Sequence, residues 1–370
     1  MKTTKKIAFG IVALLLSVVL AFTVAEIGLR LLKPQRTGPT QLAYDPRVGS
    51  IPVPNHRGRI TLPGVYQYSF THDANGRRIT GAVDTGKARF RVLLLGDSFT
   101  YGVGVNDNET FAYQLGERLS RDGAAVAVIN AGNPGKGTDY ASRFFETVGN
   151  TLHPDVTVLC FFPNDFRDNN RSRIYRVAED GTVSVNPGLG AAYAKKEFFT
   201  RSPVYSWVIS WSHLASVFKS VAIRRLRAGA RAGEEGEGPV VFYPDAKDGW
   251  SDEKNVRATR IFLDRLAMAV RDAGSDFAVF YLPSADNLKW YRETGEPSKD
   301  EKALRALLSS ERALMVSLTP ALAASGATLE ALYYDETQLG RPGGHWTPLG
   351  HSIVAEQMRQ VVGERLVKRK

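Results

Sequence analysis

Phe90-Arg91-Val92-Leu93-Leu94-Leu95-Gly96-Asp97-Ser98 is an apolar run that stops at a glycine and hands over to two polar residues. An unbroken run of this kind reads as a strand buried on both faces, so Phe90 to Leu95 is expected to be a core strand. A helix should follow, because Phe111, Leu115 and Leu119 recur at i, i+4 and i+8. The same rhythm continues downstream. Val126 to Ile129 reads as a second strand that turns through Asn130-Ala131-Gly132-Asn133-Pro134-Gly135, and Thr138 is placed to cap the next helix. Val156 to Phe162 reads as a third strand running into Pro163-Asn164-Asp165. After a break at 166–250, a helix is expected at about 252–272, a strand at Phe277 to Leu282, a helix at roughly 299–323 and a last strand at Thr328 to Tyr334. Thr347-Pro348 then opens a final helix. Strands separated by helices imply an α/β fold, a parallel sheet with helices on both faces.

The chain has 370 residues, 43% apolar and 23% charged, enough for a full core. Its single cysteine, Cys160, rules out an intrachain disulfide and reads as a small core residue. Ile7 to Ala25 is an uncharged run of 19 residues preceded by Lys2, Lys5 and Lys6. As a helix it would reach roughly 28 Å, about one hydrocarbon core. A retained membrane anchor over 1–33 is the favoured reading, because the run exceeds the ~7–15 residues of a signal-peptide core. A signal peptide with Thr23-Val24-Ala25 as its cleavage site is the rival. Both deliver the bulk of the chain across a membrane, in a bacterium to the periplasmic side of the inner membrane. Residues 34–88, rich in Gly, Pro and Arg, read as a juxtamembrane segment packing on a main domain at 89–370. The insertion at about 166–250 would roof the site. Part of the net charge of +10 lies in Arg224, Arg225, Arg227 and Arg231, just before Gly233-Glu234-Glu235-Gly236-Glu237-Gly238. A solvated loop is the leading explanation of this stretch, with contact to an anionic glycan or to lipid head groups as the lesser one. Nothing in the sequence resembles a nucleic-acid module.

Loops leaving the C-terminal ends of parallel strands converge at one edge, so Ser98, Gly135 and Asn164 should lie side by side. Acyl transfer needs a nucleophile, a base and donors for a developing oxyanion. Ser98 supplies a hydroxyl on a tight turn before a helix. Gly135 offers a backbone N–H that substrate can approach without a Cβ in the way. Asn164 offers a side-chain N–H. His345, in the loop before the last helix, is a perch for an imidazole reaching back over the strand ends. His351 falls inside that helix and reads as packing. His56, His72, His153 and His213 have no supporting context.

At these residues the chain resembles the SGNH hydrolases, the GDSL esterase and lipase superfamily. Its four blocks appear as Gly96-Asp97-Ser98-Phe99-Thr100-Tyr101-Gly102, Asn130 to Thr138, Phe162-Pro163-Asn164-Asp165 and Gly344-His345-Trp346-Thr347-Pro348-Leu349-Gly350-His351. The resemblance covers about 89–165 and 252–362. It implies a three-layer α/β/α sandwich with a five-stranded parallel sheet, flavodoxin-like, and no metal or cofactor. It also implies Ser98 as nucleophile, His345 as general base, and an oxyanion hole built from Ser98 N–H, Gly135 N–H and Asn164. The anchored layout looks like the branch that accompanies bacterial envelope and exopolysaccharide machinery, including relatives that add or remove O-acetyl groups.

One departure from the family pattern stands out. An aspartate is expected two or three residues before the histidine, where this chain has Pro342 and Gly343. Either Ser98 and His345 act as a dyad, or another acid orients the ring, with Asp335 and Glu336 the nearest candidates. The expected function is a serine esterase acting on O-acyl, above all O-acetyl, groups of an envelope or extracellular glycan. The alternatives are an O-acetyltransferase on the same kind of glycan and a decayed, glycan-binding scaffold. Partners would be an acylated carbohydrate, the membrane and polysaccharide-export or acetylation machinery.

Overall fold

The computed structural model describes residues 2–81, 86–123, 125–169, 174–178, 180–186, 202–232, 251–308, 313–337 and 343–368. They fall into two compact units. The smaller is formed by the described residues within 1–40, 59–67 and 199–237, and the larger by those within 41–58, 68–198 and 238–370.

In the smaller unit the apolar N-terminal run forms one long helix, α1 (Lys2–Leu32). Its large apolar side chains are solvent-exposed, and over Lys5–Leu32 it is long and apolar enough to cross a membrane. Two further helices, α6 (Pro203–Trp211) and α7 (His213–Ala232), belong to the same unit. The arginine-rich stretch expected as a loop is therefore helical: Arg224, Arg225, Arg227 and Arg231 all lie in α7, while 233–238 lies outside the described residues. Straight-chain residues and alanines in this segment favour helix, which the charge pattern alone concealed.

Before the main sheet come β1 (Leu42–Asp45) and β2 (Gly49–Pro52), an antiparallel hairpin, and β3 (Arg57–Leu62) and β4 (Tyr66–Thr71), a second two-stranded sheet. The central sheet comprises β5 (Phe90–Gly96), β6 (Val126–Asn130), β7 (Val156–Phe161), β10 (Asp276–Tyr281) and β11 (Leu314–Ser317). A small hairpin of β8 (Tyr175–Val177) and β9 (Val183–Val185) lies between β7 and β10 in sequence. The sheet order is β11-β10-β7-β5-β6 and every pairing is parallel. The chain steps from β5 outward to β6, then crosses back to β7 on the other side of β5. That reversal makes the β5/β7 border a topological switch point, where open α/β sheets bind ligands.

The two-residue period of a strand explains why these segments carry almost no polar residue. Leu93, Leu95, Leu159, Phe161, Val279 and Tyr281 point to one face, and Val92, Leu94, Val158, Cys160, Ala278 and Phe280 to the other, all buried. The first face is covered by α4 (Thr138–Thr147), α8 (Glu253–Asp272) and α10 (Lys299–Leu307), through Phe144, Phe145, Phe262, Leu266 and Leu304. The second is covered by α3 (Phe111–Arg121), α9 (Ala285–Thr294), α11 (Thr319–Ala324) and α13 (Pro348–Val367), through Leu115, Leu288, Leu322 and Met358. Each such side chain contributes about 1.5–3 kcal/mol by leaving water. The three-layer α/β/α sandwich expected from the sequence is present.

Three elements differ from the reading of the sequence. Thr328 to Tyr334 is not the last strand; Thr328 caps a one-turn helix, α12 (Leu329–Leu332), by accepting from Ala331 N, and Tyr333 then makes a single antiparallel bridge to Trp346. The fifth strand is β11, inside the stretch expected to be one helix over 299–323. Four residues at a sheet edge are too few to show a period. The helix α9 was not anticipated, although Ser284 and Asn287 form its capping box.

Candidate active site

The larger unit brings Ser98, His345 and a carboxylate into one line. β5 ends at Gly96, whose φ of 156° bends the chain; a Cβ there would lie 2.2 Å from Thr100 Oγ1 and 2.8 Å from the Cys160 carbonyl. Asp97 then caps a short helix, α2 (Ser98–Tyr101), by accepting from Phe99 N at 2.8 Å. Ser98 stands on its first turn, half-buried. Its Oγ lies 2.9 Å from His345 Nε2, and His345 Nδ1 lies 2.6 Å from Glu336 Oε1. A carboxylate only accepts, so Nδ1 carries the ring proton and Nε2 is left as the acceptor for the serine hydroxyl. Both His345 and Glu336 are buried, Glu336 completely.

Glu336 occupies the place of the missing aspartate. Asp335, the other acid considered, is fully exposed and accepts instead from Thr337 N at 2.9 Å. Adjacent residues of an extended chain face opposite ways, so only one of the two can turn inward. The bridge between Tyr333 and Trp346 selects Glu336. It is extended by Tyr334 N donating to His345 O and Gly344 N donating to Tyr334 O, both at 2.8 Å. His345 N also donates to Glu336 Oε1, at 3.4 Å. Phe99 packs against the site's back wall, 4.0 Å from Phe162 and 5.1 Å from the His345 ring, centroid to centroid.

The two loops expected to carry oxyanion donors adjoin this line. Asn164 follows β7 and precedes the one-turn helix α5 (Asp165–Asp168); its Nδ2 donates to Asp97 Oδ2 at 3.2 Å, leaving one amide hydrogen of Nδ2 for a ligand. The Asn130–Gly135 turn is stitched to the nucleophile loop by Asn133 N donating to Gly96 O and Asn130 Nδ2 to Thr100 O, each at 2.9 Å. Gly135 has φ 74° and open space where a Cβ would stand. Thr138 does not cap α4, as its position suggested. Gly137 holds that place, and the Thr138 hydroxyl donates instead to the buried Asp165 carboxyl at 3.2 Å. Burial pushes the Asp97 carboxyl up, and it pushes Asp165 well above the usual carboxylate range with help from Asp97 and Asp168. Asp139 rises to about 8, again through burial.

A further residue escaped the sequence reading. Arg78 is buried and holds the chain that follows Ser98. It donates to the carbonyls of Ser69, Tyr101, Gly102 and Val105 and pairs with Asp107 at 2.8 Å. Neither its Arg-rich neighbourhood nor its spacing distinguishes it from a surface arginine. His351 packs as expected, buried, with Nδ1 accepting from Phe111 N. Cys160 is a buried core residue with its thiol pushed up to about 12. Among the described residues no cluster of His, Cys, Asp and Glu has the arrangement of a metal site.

No curated protein matches the sequence. The structure is similar to a two-domain esterase active on acetylated mannans (12% identity, TM-score 0.40), of which it spans half the length while 77% of this chain is covered. It is similar also to the psychrotrophic esterase EstA from Pseudoalteromonas sp. (12% identity, TM-score 0.39, 75% of this chain and 98% of that one). The acetyl xylan esterase AlAXEase is a third neighbour (14% identity, TM-score 0.39, 74% and 100%). The model of the GDSL-like lipase/acylhydrolase family matches residues 94–353, from the end of β5 to the first turns of α13. The chain belongs to that family and is a hydrolase acting on ester bonds.

Proposed function

We propose that this protein removes O-acyl, above all O-acetyl, groups from an envelope or extracellular glycan, through an acyl-enzyme on Ser98. The observation that carries the chemistry is the continuous line from Ser98 Oγ to His345 Nε2 and from His345 Nδ1 to Glu336. Ser98 Oγ attacks the ester carbonyl carbon while Nε2 takes the hydroxyl proton, and the Glu336 carboxylate faces the imidazolium that forms. The carbonyl oxygen becomes an oxyanion held by Ser98 N–H, Gly135 N–H and Asn164 Nδ2–H. Collapse breaks the ester C–O bond, and Nε2 returns the proton to the departing sugar oxygen. Water, deprotonated by the same nitrogen, then attacks the acyl carbon, and the bond from that carbon to Ser98 Oγ breaks as Nε2 returns the proton to Oγ.

The choice of a glycan rests on the resemblance to envelope-associated relatives and on α1. We read α1 as a retained anchor that leaves the catalytic unit on the periplasmic side of a bacterial inner membrane. Residues 34–88 are taken as the link to the catalytic domain.

A fluorophosphonate probe followed by intact-mass measurement tests the nucleophile. Wild type gains one adduct and Ser98→Ala none; equal labelling of both removes Ser98 from the role. Acetate release from an acetylated polysaccharide, set against transfer to an added oligosaccharide, separates esterase from acetyltransferase. Glycan binding without turnover, unchanged in Ser98→Ala, would mark a scaffold instead.

A further inference from the structure

The helix α6 is built inside out. Val204, Trp207 and Trp211 recur at i, i+3 and i+7 and so share one face, yet that face is the exposed one: Val204 is 70% exposed, Trp207 63% and Trp211 45%. Ile209, on the opposite side, is the buried residue of the helix. Phe218, one turn and a half into α7, is 60% exposed as well. An aqueous surface gains nothing from such a face, and a helix that presents tryptophan outward is built to meet an apolar partner.

The position of this face along α1 identifies the partner. The uncharged part of α1 ends at Ala25, and Glu26 and Arg30 follow. Both reach the corner between α6 and α7. Glu26 accepts from Ser212 Oγ, His213 N and Leu214 N, each at 2.9 Å, and Arg30 donates to the Trp211 carbonyl at 2.9 Å with its guanidinium 5.9 Å from the Trp211 ring. The corner is thereby fixed at the level where the apolar span gives way to charge. Tryptophan prefers that depth in a bilayer, with its ring among the glycerol groups and its N–H in contact with water. Charge complementarity points the same way: the sequence of α7 continues with four arginines, Arg224, Arg225, Arg227 and Arg231, a composition suited to anionic head groups.

We infer that the α6–α7 corner is a second membrane contact, an interfacial element that seats Val204, Trp207, Trp211 and Phe218 in the headgroup layer of the bilayer spanned by α1. This rests on the reading of α1 as a retained span. It adds that the polypeptide engages the lipid surface at two places, a crossing helix and a wedge lying flat beside it.

Full-length protein reconstituted into vesicles of mixed zwitterionic and anionic lipid, with bromine placed near the headgroup end of the acyl chains, tests the inference. Tryptophan emission should be quenched, more by bromine near the head groups than by bromine near the chain ends. The Trp207→Phe/Trp211→Phe variant should lose most of that quenching. Its ester hydrolysis rate should equal wild type, because neither residue belongs to the catalytic machinery. The single Trp207→Phe variant should lose an intermediate share. If the protein floats with the vesicles after an alkaline wash but its emission is unquenched, or equally quenched in the double variant, the contact does not exist although the anchor does. Failure to float would instead remove the anchor, and the inference with it.

Discussion

Glu336 reaches the His345 ring from nine residues upstream, its Oε1 2.6 Å from Nδ1, while the neighbouring Asp335 lies in solvent. The Glu336–His345 pair is thus assembled by a bridge between chain segments, Tyr333 to Trp346, and not by a fixed short spacing within one loop. Substitution separates the two acids. Glu336→Gln should lower kcat for acetyl ester hydrolysis by roughly three to four orders of magnitude, because the ring loses both its tautomer preference and its counter-charge. Asp335→Ala should change it by no more than about a factor of two. Equal losses in both variants would contradict the assignment.

Gly344 has no side chain because Glu336 occupies the space. A Cβ there would stand 2.5 Å from Glu336 Cγ and 2.7 Å from Cδ. Gly344→Ala should push the carboxylate off the ring and cost about a hundredfold in kcat, the scale associated with a misplacement of about 1 Å. KM for the same ester should move little. Steady-state kinetics on a chromogenic acetate, with the folded fraction measured alongside by circular dichroism, distinguishes this from general unfolding, in which the rate would fall only in step with the folded fraction.

Arg78 and Arg359 make a matched pair for stability. Arg78 is buried and supplies four carbonyls and Asp107; Arg359 bridges Glu356 and Asp122 at the surface. Truncating Arg78 to alanine strands those carbonyls and should cost about 3–5 kcal/mol in urea unfolding. Arg359→Ala should cost less than about 1 kcal/mol. A mild Arg78→Ala phenotype would show that water replaces the guanidinium.

Asp139 predicts a pH dependence of stability. Unfolded, its carboxyl titrates near 3.8; folded, burial moves it to about 8. Between those values the folded chain holds the extra proton, so this residue's contribution to stability falls as pH rises through the window. Asp139→Asn removes that titration. Relative to wild type, the variant's Tm should rise between pH ~5 and pH ~9, by at least about 2 °C. A difference in Tm that stays constant across that range would mean Asp139 is ionised in the folded protein.

Much of the site was legible because its strands announce themselves. Apolar runs at Phe90, Val126 and Val156 each end in a loop bearing one functional group, and parallel strands must bring those loops together. Short elements were not legible: β11 has four residues, and α12 looked like a strand because Tyr333 and Tyr334 are β-prone. The choice between Asp335 and Glu336 turns on which of two adjacent side chains faces inward, a property of register that composition does not carry. Arg78 was invisible for a related reason. A buried arginine is recognised only by the carbonyls around it, and those come from loops brought together by the fold.

Ser98 and His345 stand 247 positions apart in the sequence, and that separation has a consequence for how much of the chain the site requires. Ser98, its glycine bend and the Asn164 loop are all encoded by the end of the turn that follows β7. With those alone, the hydroxyl is an ordinary alcohol. The partner of that hydroxyl comes from the loop before α13, so, on the proposed mechanism, a chain cut short of that loop could hold the sheet's C-terminal rim and still cleave no ester.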